Sequence, residues 1–394
     1  MKIPYGAKLI ISRLNDNGFR GDVVGGCVRD FLLGKQPNDF DITTNALPDD
    51  MRRIFFDLKT IDTGIKHGTL TVMVDSEPYE VTTYRIDGEY SDNRHPDKVS
   101  FTDKLSDDLS RRDFTVNAMC YNSSDGITDI FGGCNDLKNG IIRAVGDPVL
   151  RFTEDALRIL RALRFASTLD FTIEPATSKA IFEKAYLLSS VSRERICVEW
   201  RKLIAGIGAS RILSEYAEVI ELVIPELSGI QKVGMPDGFL GARPEIRELS
   251  LFVGACGKDA AVKFESAMQS LRSDNKHKRF GLCVLQNLSA STESESDIRR
   301  LLVKAGEVCA LGVIDLKILL GLAGGESLDL YNKILSSDPC YRISDMNING
   351  NDLAEIGIKG KGIGEALNKL LLLIADGEVK NEREELIIVA KTLR

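Results

Sequence analysis

Residues 69–74 and 79–85 are short β-rich runs in which apolar and polar positions alternate with a period of two over 69–72 and 79–82, and Asp75-Ser76-Glu77-Pro78 between them has turn chemistry. That period turns one face of each segment toward a core and the other toward water, so the pair reads as an antiparallel hairpin. Further short β-rich runs lie at Val23-Val24, at 39–44 and at 141–145, with helical stretches at 28–33 and 48–56. The first 150 residues are therefore expected to form a mixed α+β domain. From Phe152 the strand signals fade. Apolar spacings of three and four predict helices over 174–206, 209–223, 244–254, 257–272, 294–310, 313–322, 350–356, 362–376 and 381–393. Thr153 is the expected N-cap of a helix running from Ala156 to about Ser167, with Glu154 and Asp155 in its first turn and Phe152 stapled to Leu157. The expectation is one α+β domain (1–150) followed by all-helical segments at 151–207, 208–323 and 324–394.

Composition narrows the function classes. No apolar run approaches the roughly 18 residues of a membrane span, and residues 1–20 carry Lys2, Lys8, Arg13, Asp16 and Arg20, unlike a secretory signal. A net charge of −7 excludes a protein that coats nucleic acid through overall basicity, so any such contact comes from local patches. Cys27, Cys120, Cys134, Cys197, Cys256, Cys283, Cys309 and Cys340 are scattered singly, the usage of reduced cytoplasmic thiols rather than of a disulfide framework or a zinc site. With only three histidines (67, 95 and 277), metal work falls to carboxylates.

The strongest local pattern is Val23-Val24-Gly25-Gly26-Cys27-Val28-Arg29-Asp30 followed by Asp39-Phe40-Asp41-Ile42. A strand ending in two glycines before a helix lets backbone N–H groups approach an anionic oxygen, and Arg29 in the first turn reaches the same phosphate. Read as a strand, residues 39–42 place Asp39 and Asp41 on one face. Two carboxylates beside a phosphate cradle suit two Mg²⁺ ions, which activate an attacking hydroxyl and stabilise a leaving oxygen in phosphoryl transfer. Glu80 on the next hairpin is a candidate third carboxylate, or equally an exposed hairpin charge. Arg111-Arg112 suits triphosphate charge. In the helix beginning at Glu154, Arg158, Arg161 and Arg164 recede by about 60° per step, a winding polar stripe on an apolar rod that calls for anionic or base-edge partners.

With these motifs assembled, the sequence closely resembles the class II tRNA nucleotidyltransferases, the bacterial-type CCA-adding enzymes. The resemblance rests on Gly25-Gly26-Cys27-Val28-Arg29-Asp30, Asp39-Phe40-Asp41, His67-Gly68-Thr69, Glu80-Val81-Thr82-Thr83, Arg111 through Ala118, and Glu154 through Phe165, in family order across residues 20–200; it is weaker in the C-terminal half. It implies a polymerase-β-like nucleotidyltransferase head with an antiparallel or mixed sheet, then a helical neck, body and tail that hold tRNA. Asp39 and Asp41 would be the catalytic, metal-binding carboxylates for Mg²⁺. Gly26, Arg29 and Arg112 would contact the incoming CTP or ATP, and Asp155, Arg158, Arg161 and Arg164 would form its base and phosphate pocket. The implied partners are tRNA, CTP and ATP, with no membrane and no obligate protein partner.

Elementary hydrogen-bond chemistry supports that pocket. CTP and ATP both present an exocyclic amino donor beside a ring acceptor, which match an Asp acceptor next to an Arg donor. UTP and GTP present the reverse and would leave buried groups unpaired. Asp155 and Arg158 can thus replace a template base, although they cannot by themselves tell C from A. The rivals are a poly(A) polymerase, disfavoured by the pI of about 5.3; a partial CC- or A-adding enzyme, disfavoured by the long polar loop at 87–108; and a non-catalytic RNA-binding scaffold, disfavoured by the intact acidic and basic motifs.

Overall fold

In the computed structural model the described residues are 1–87, 99–337 and 339–392, and the chain divides into two compact units, Met1–Val223 and Ile224–Arg394. The first unit opens with α1 (Tyr5–Asp16), whose Ala7, Ile10, Ile11 and Leu14 form an i, i+3, i+4, i+7 stripe buried toward the sheet. There follow β1 (Gly21–Val24), α2 (Gly26–Leu32), β2 (Asp41–Thr44), α3 (Pro48–Ile54), β3 (Thr60–Ile61), β4 (Thr69–Val74) and β5 (Glu77–Thr83). Next come β6 (Arg85–Asp87), β7 (Val99–Phe101), α4 (Leu105–Ser110), β8 (Met119–Asn122), β9 (Gly126–Asp129) and α5 (Gly133–Asn139). Seven strands join in the order β3-β4-β5-β2-β1-β8-β9, antiparallel except for the parallel β2–β5 pair, so the sheet is mixed.

The hairpin read from the alternation forms with a tighter turn than expected. Val74 pairs with Glu77 across Asp75-Ser76, both at positive φ (51° and 68°), and β4 alternates buried and half-buried positions throughout. Pro78 is tolerated in β5 because β2 pairs only with Val81–Thr83 on its other side, so its missing N–H is not called on there. The middle of the long polar loop, residues 88–98, lies outside the described residues; its ends pair as β6 and β7.

The run at 141–145 is only partly a strand: β10 (Ile141–Ile142) lies outside the seven-stranded sheet and pairs in parallel with β11 (Thr172–Ile173). Between them the helix expected from Ala156 forms as α7 (Leu157–Leu169), and a further helix, α6 (Pro148–Glu154), precedes it. Thr153 is therefore not an N-cap. It sits inside α6, donating to Val149 O at 2.8 Å, and the cap is Asp147, which accepts from Val149 N ahead of Pro148 at the first helical position. The apolar residues Phe152, Ile159, Ala162 and Leu163 of this helical pair are wholly buried. Burying such a large side chain stabilises by roughly 1.5–3 kcal/mol. The unit closes with α8 (Pro175–Lys184), α9 (Arg193–Ala205), α10 (Ala209–Glu215) and α11 (Ala217–Val223), so the helix expected over 174–206 is interrupted by 3₁₀ turns at 185–190.

The second unit is helical: α12 (Pro244–Cys256), α13 (Ala260–Ser270), α14 (Asn275–Gln286), α15 (Glu295–Ala305), α16 (Glu307–Leu319), α17 (Glu326–Ser336), α18 (Gly350–Glu355), α19 (Lys361–Asp376) and α20 (Arg383–Thr392). The periodic run at 294–310 breaks at Gly306, whose φ of 74° ends α15 and opens α16. Leu353, Leu370 and Leu386 centre a separate hydrophobic cluster formed by α18 to α20. One composition-based expectation is corrected here. Cys283 on α14 and Cys309 on α16 form a disulfide with Cα atoms 6.2 Å apart, because the packing of α14 against α16 brings together thiols that are 26 residues apart in the chain. The six other cysteines are in no disulfide.

Candidate active site

The paired aspartates stand where β1 and β2 end together. Val24 pairs with Asp41 across the antiparallel ladder, and Asp41 begins β2 with Asp39 two residues earlier in the preceding loop. The expected strand thus starts at Asp41 and not at Asp39. In the parallel β2–β5 pair Ile42 faces Val81, so Asp41 and Glu80 each lie one residue before the first paired position. Asp41 stays open to solvent at this edge, yet the protein around it desolvates its carboxyl and pushes it above the usual range. Glu80 pushes the same way, Arg112 opposes, and Asp39 adds to the upward push. Like-charged carboxylates at an open strand end raise the local attraction for positive charge.

Gly25 precedes α2 with φ of 81°, and a Cβ built on it would lie 3.0 Å from Arg112 Nη1. A side chain there would be strained in backbone and crowded against that guanidinium. The Gly25 N–H donates to Met119 O, so an anion at this turn would be met by Gly26 and by Arg29, not by Gly25. Arg29 in α2 is fixed by Asp30 at 2.8 Å and by Asn117 Oδ1 at 2.6 Å.

Asp108 on α4 organises the arginine pair, a role that sequence reasoning missed. It is fully buried, accepts from Arg111 (2.7 Å), Arg112 (3.4 Å) and Thr43 Oγ1 of β2 (3.1 Å), and so ties the pair to the aspartate strand. Burial would raise its carboxyl; Arg111 and Arg112 outweigh that and hold it below the usual range. Arg112 Nε is buried with no hydrogen-bond partner among the described residues, a donor left for a ligand.

The arginine-rich helix meets the expected need for anionic partners with protein carboxylates. Arg158, 9% exposed, donates to Glu154 (2.6 Å), Arg151 O (3.2 Å) and Arg111 O (2.9 Å). Arg161 grips Asp113 at 2.5 Å, and Arg164 donates through Nε to Glu199 of α9 at 2.8 Å. Asp155 is not in the first turn of α7. It terminates α6 in extended backbone, its Oδ1 accepts from Leu157 N, and its Oδ2 accepts from Arg195 of α9 at 2.9 Å. Asp155 and Arg158 meet through the backbone turn Arg158 N to Asp155 O (2.9 Å), with their side chains left separate. Arg195 is a second residue the sequence did not single out, since nothing within its own helix signals a partner forty residues away.

Asp113 ties this helix to the sheet side. Burial pushes its carboxyl up, but the charge and bonds of Arg161, with a bond from Asn117, pull it down to about 2. A carboxyl depressed in the fold stabilises it above the unfolded value near 3.9, and that contribution is lost as pH falls through about 2. Asp113→Asn is expected to destabilise the first unit by roughly 2–3 kcal/mol at neutral pH. The deficit should shrink between about pH 4 and pH 2. Urea unfolding followed by fluorescence of Trp200, buried in α9 and the chain's one tryptophan, reads this unit; a deficit constant with pH would rule the ion pair out as its source.

A mixed sheet carrying paired carboxylates at one strand end, with arginines held around it, defines a nucleotidyltransferase head. The family model for the Poly A polymerase head domain matches residues 22–143, and that for tRNA nucleotidyltransferase domain 2 matches residues 249–390. The chain is 37% identical over 398 residues to the CCA-adding enzyme of Pediococcus pentosaceus, covering 98% of each, and 37% identical to that of Geobacillus stearothermophilus, covering 98% of this chain and 96% of that one. The crystal structure of the Bacillus stearothermophilus CCA-adding enzyme in complex with CTP matches with a TM-score of 0.85 at 34% identity, covering 100% of this chain and 98% of that one. The chain belongs to the CCA-adding enzymes, a family of tRNA nucleotidyltransferases. No helix among the described residues is long and apolar enough to cross a membrane.

Proposed function

We propose that this protein adds C, C and A to the 3′ end of tRNA from CTP and ATP without a nucleic-acid template. The observation that carries the reading is a chain of interactions: its first link is electrostatic, and Thr43 bonded to Asp108 ties in strand β2. Asp41 feels Arg112; Arg112 and Arg111 share Asp108; the Arg111 carbonyl holds Arg158; and Asp155 adjoins Arg158 through the turn. Charge chemistry and base-reading chemistry therefore occupy one locus of one unit.

Asp39 and Asp41 would hold Mg²⁺. Oxygen donors from one or two carboxylates, completed by substrate phosphates, are what this ion takes, and the mutual repulsion around Asp41 fits a cation there. The metal, when bound, activates the attacking 3′ hydroxyl and stabilises charge on the leaving pyrophosphate. The chain's own groups do the rest. Arg29 and Arg112 neutralise phosphate oxygens, and Gly26 lets the backbone approach them. Arg161 and Arg164 extend positive charge along α7. Asp155 and Arg158 read the base edge: of about four lone-pair sites on the carboxylate, Arg195 and Leu157 N occupy two. Of the five guanidinium donors, three are engaged by Glu154, Arg151 O and Arg111 O. Each group keeps capacity for a base while being held rigidly, so the amino donor of C or A meets an acceptor and the ring acceptor meets a donor.

Residues 1–150 are read as the head, 151–207 as the neck, 208–323 as the body and 324–394 as the tail. A tRNA transcript lacking its last three nucleotides, given Mg²⁺, CTP and ATP, should grow by three nucleotides and stop. Growth by two or by one would indicate a partial enzyme, and unlimited growth on ATP alone a poly(A) polymerase. Lys359 and Lys361 are exposed on either side of Gly360, which caps α19, and are assigned to a backbone phosphate of the tRNA. Lys359→Glu with Lys361→Glu is expected to raise the KM for tRNA several-fold and to lower the slope of log KM against log salt by about 1–2, with kcat unchanged. A tRNA KM unaltered at every salt concentration would remove this turn from the binding surface.

A further inference from the structure

Three guanidinium groups converge on one phenyl ring. Arg164 lies over Phe165 with Cζ 3.5 Å from the ring centroid, Arg29 of α2 approaches to 5.1 Å and Arg161 to 5.4 Å. Each arginine also has its own carboxylate, respectively Glu199, Asp30 and Asp113. Phe165 is buried and rests edge-on against Phe114 at 5.7 Å, and Phe114 is the residue after Asp113. Phe165 thus sits where the arginine helix meets α2 and the Arg111–Ala118 segment. A cation within about 6 Å of a ring centroid gains from the negative ring face. An aliphatic residue of similar size would leave the three guanidiniums with their carboxylates but without the shared ring face that brings them together.

We propose that Phe165 is a positioning residue for the nucleotide: its ring holds the guanidiniums of Arg29, Arg161 and Arg164 in a fixed mutual arrangement, so that donors not engaged by carboxylates are presented to the triphosphate. The proposal rests on the reading of these arginines as nucleotide contacts. Arg164 shows why the ring matters. Only its Nε is bonded to Glu199 among the described residues, so the stacked ring, and not a second hydrogen bond, sets the plane in which its two terminal nitrogens lie. Planar stacking of this kind is open to arginine and not to a point charge.

The test separates ring electronics from ring shape. Phenylalanine at 165 is replaced by mono-, tri- and pentafluorinated phenylalanine in the full-length enzyme, which weakens and then reverses the ring quadrupole with little change in volume. The KM for both CTP and ATP should rise stepwise, by about tenfold at the pentafluoro ring, equivalent to about 1.4 kcal/mol. The kcat at saturating nucleotide, the KM for tRNA and the Tm read from Trp200 should stay level, which a merely structural role would not produce. Phe165→Leu should match or exceed the pentafluoro effect. Nucleotide KM values flat across the fluorine series would overturn the proposal. Arg29→Ala is measured alongside. If it leaves the nucleotide KM unmoved, the assignment of Arg29 to the nucleotide fails and the proposal with it. If Arg29→Ala raises KM but the fluorine series and Phe165→Leu do not, only the role of the ring is wrong.

Discussion

Asp39→Ala or Asp41→Ala is expected to lower incorporation of both CTP and ATP by roughly 10³-fold or more, while tRNA binding stays within about twofold. The reason is electrostatic. Asp41 starts β2 opposite Val24, and its carboxyl is pushed up by desolvation and by Glu80 and Asp39. In the proposed role, removing either aspartate would take away an oxygen ligand and part of the charge that would attract the metal. Neither contributes to the core, since both are exposed, so the fold should survive. Gel-resolved single-nucleotide extension, with filter binding of tRNA in parallel, measures the two effects separately. Loss of one nucleotide's incorporation with retention of the other would assign these residues to selectivity and not to chemistry.

The second large effect is on fidelity. If Asp155 and Arg158 read the base as proposed, Asp155→Ala would remove the acceptor of the pair and Arg158→Ala the donor. A bidentate base contact discriminates by roughly 1–3 kcal/mol, so misincorporation of UTP and GTP relative to CTP and ATP should rise about 10- to 100-fold. Correct turnover should fall as well. The two variants differ in collateral cost. Arg158→Ala also breaks bonds to Glu154, Arg151 O and Arg111 O, loosening the link between the two helices and the arginine pair. Asp155→Ala loses only the bonds to Arg195 and Leu157 N, and is the cleaner probe. Strict CTP and ATP specificity in the Asp155→Ala enzyme, at whatever rate, would refute the protein-template mechanism.

How much of this was legible in the sequence depends on how far each signal reaches along the chain. The β4–β5 hairpin was readable because period-two alternation and turn residues are local, and the structure keeps it with only a tighter turn. The mixed sheet followed by helices was readable for the same reason. The span of the arginine helix was readable, but its capping was not, because two local signals competed. Thr153 with two acidic residues resembles an N-cap, but Asp147-Pro148 is the stronger start, and the chain leaves helical geometry at Asp155 (φ −136°, ψ 103°) before α7 begins. The apolar stripe of α1 is equally local, and was legible in the same way.

The supporting residues were not legible at all. Asp108 reaches Thr43 across 65 positions, and Arg195 reaches Asp155 across 40; no periodicity encodes either. The three arginines of α7 were correctly expected to need anionic partners, but those partners are Glu154, Asp113 and Glu199, two of them remote in sequence. The disulfide between Cys283 and Cys309 escaped a count-based argument because pairing follows helix packing and not spacing. Motif residues thus identify what chemistry is available, while the second layer that holds them is a tertiary property.

The central claim is that a protein pocket alone selects C and A for the tRNA end. It is tested most directly by incubating a tRNA transcript ending at the discriminator base with Mg²⁺ and all four nucleoside triphosphates at equal concentration, then sequencing the 3′ ends. A protein template yields a dominant product ending in CCA, with no further extension. Uridine or guanosine at these positions at frequencies comparable to cytidine and adenosine, or ends that stop at CC or continue into an adenosine run, would contradict it.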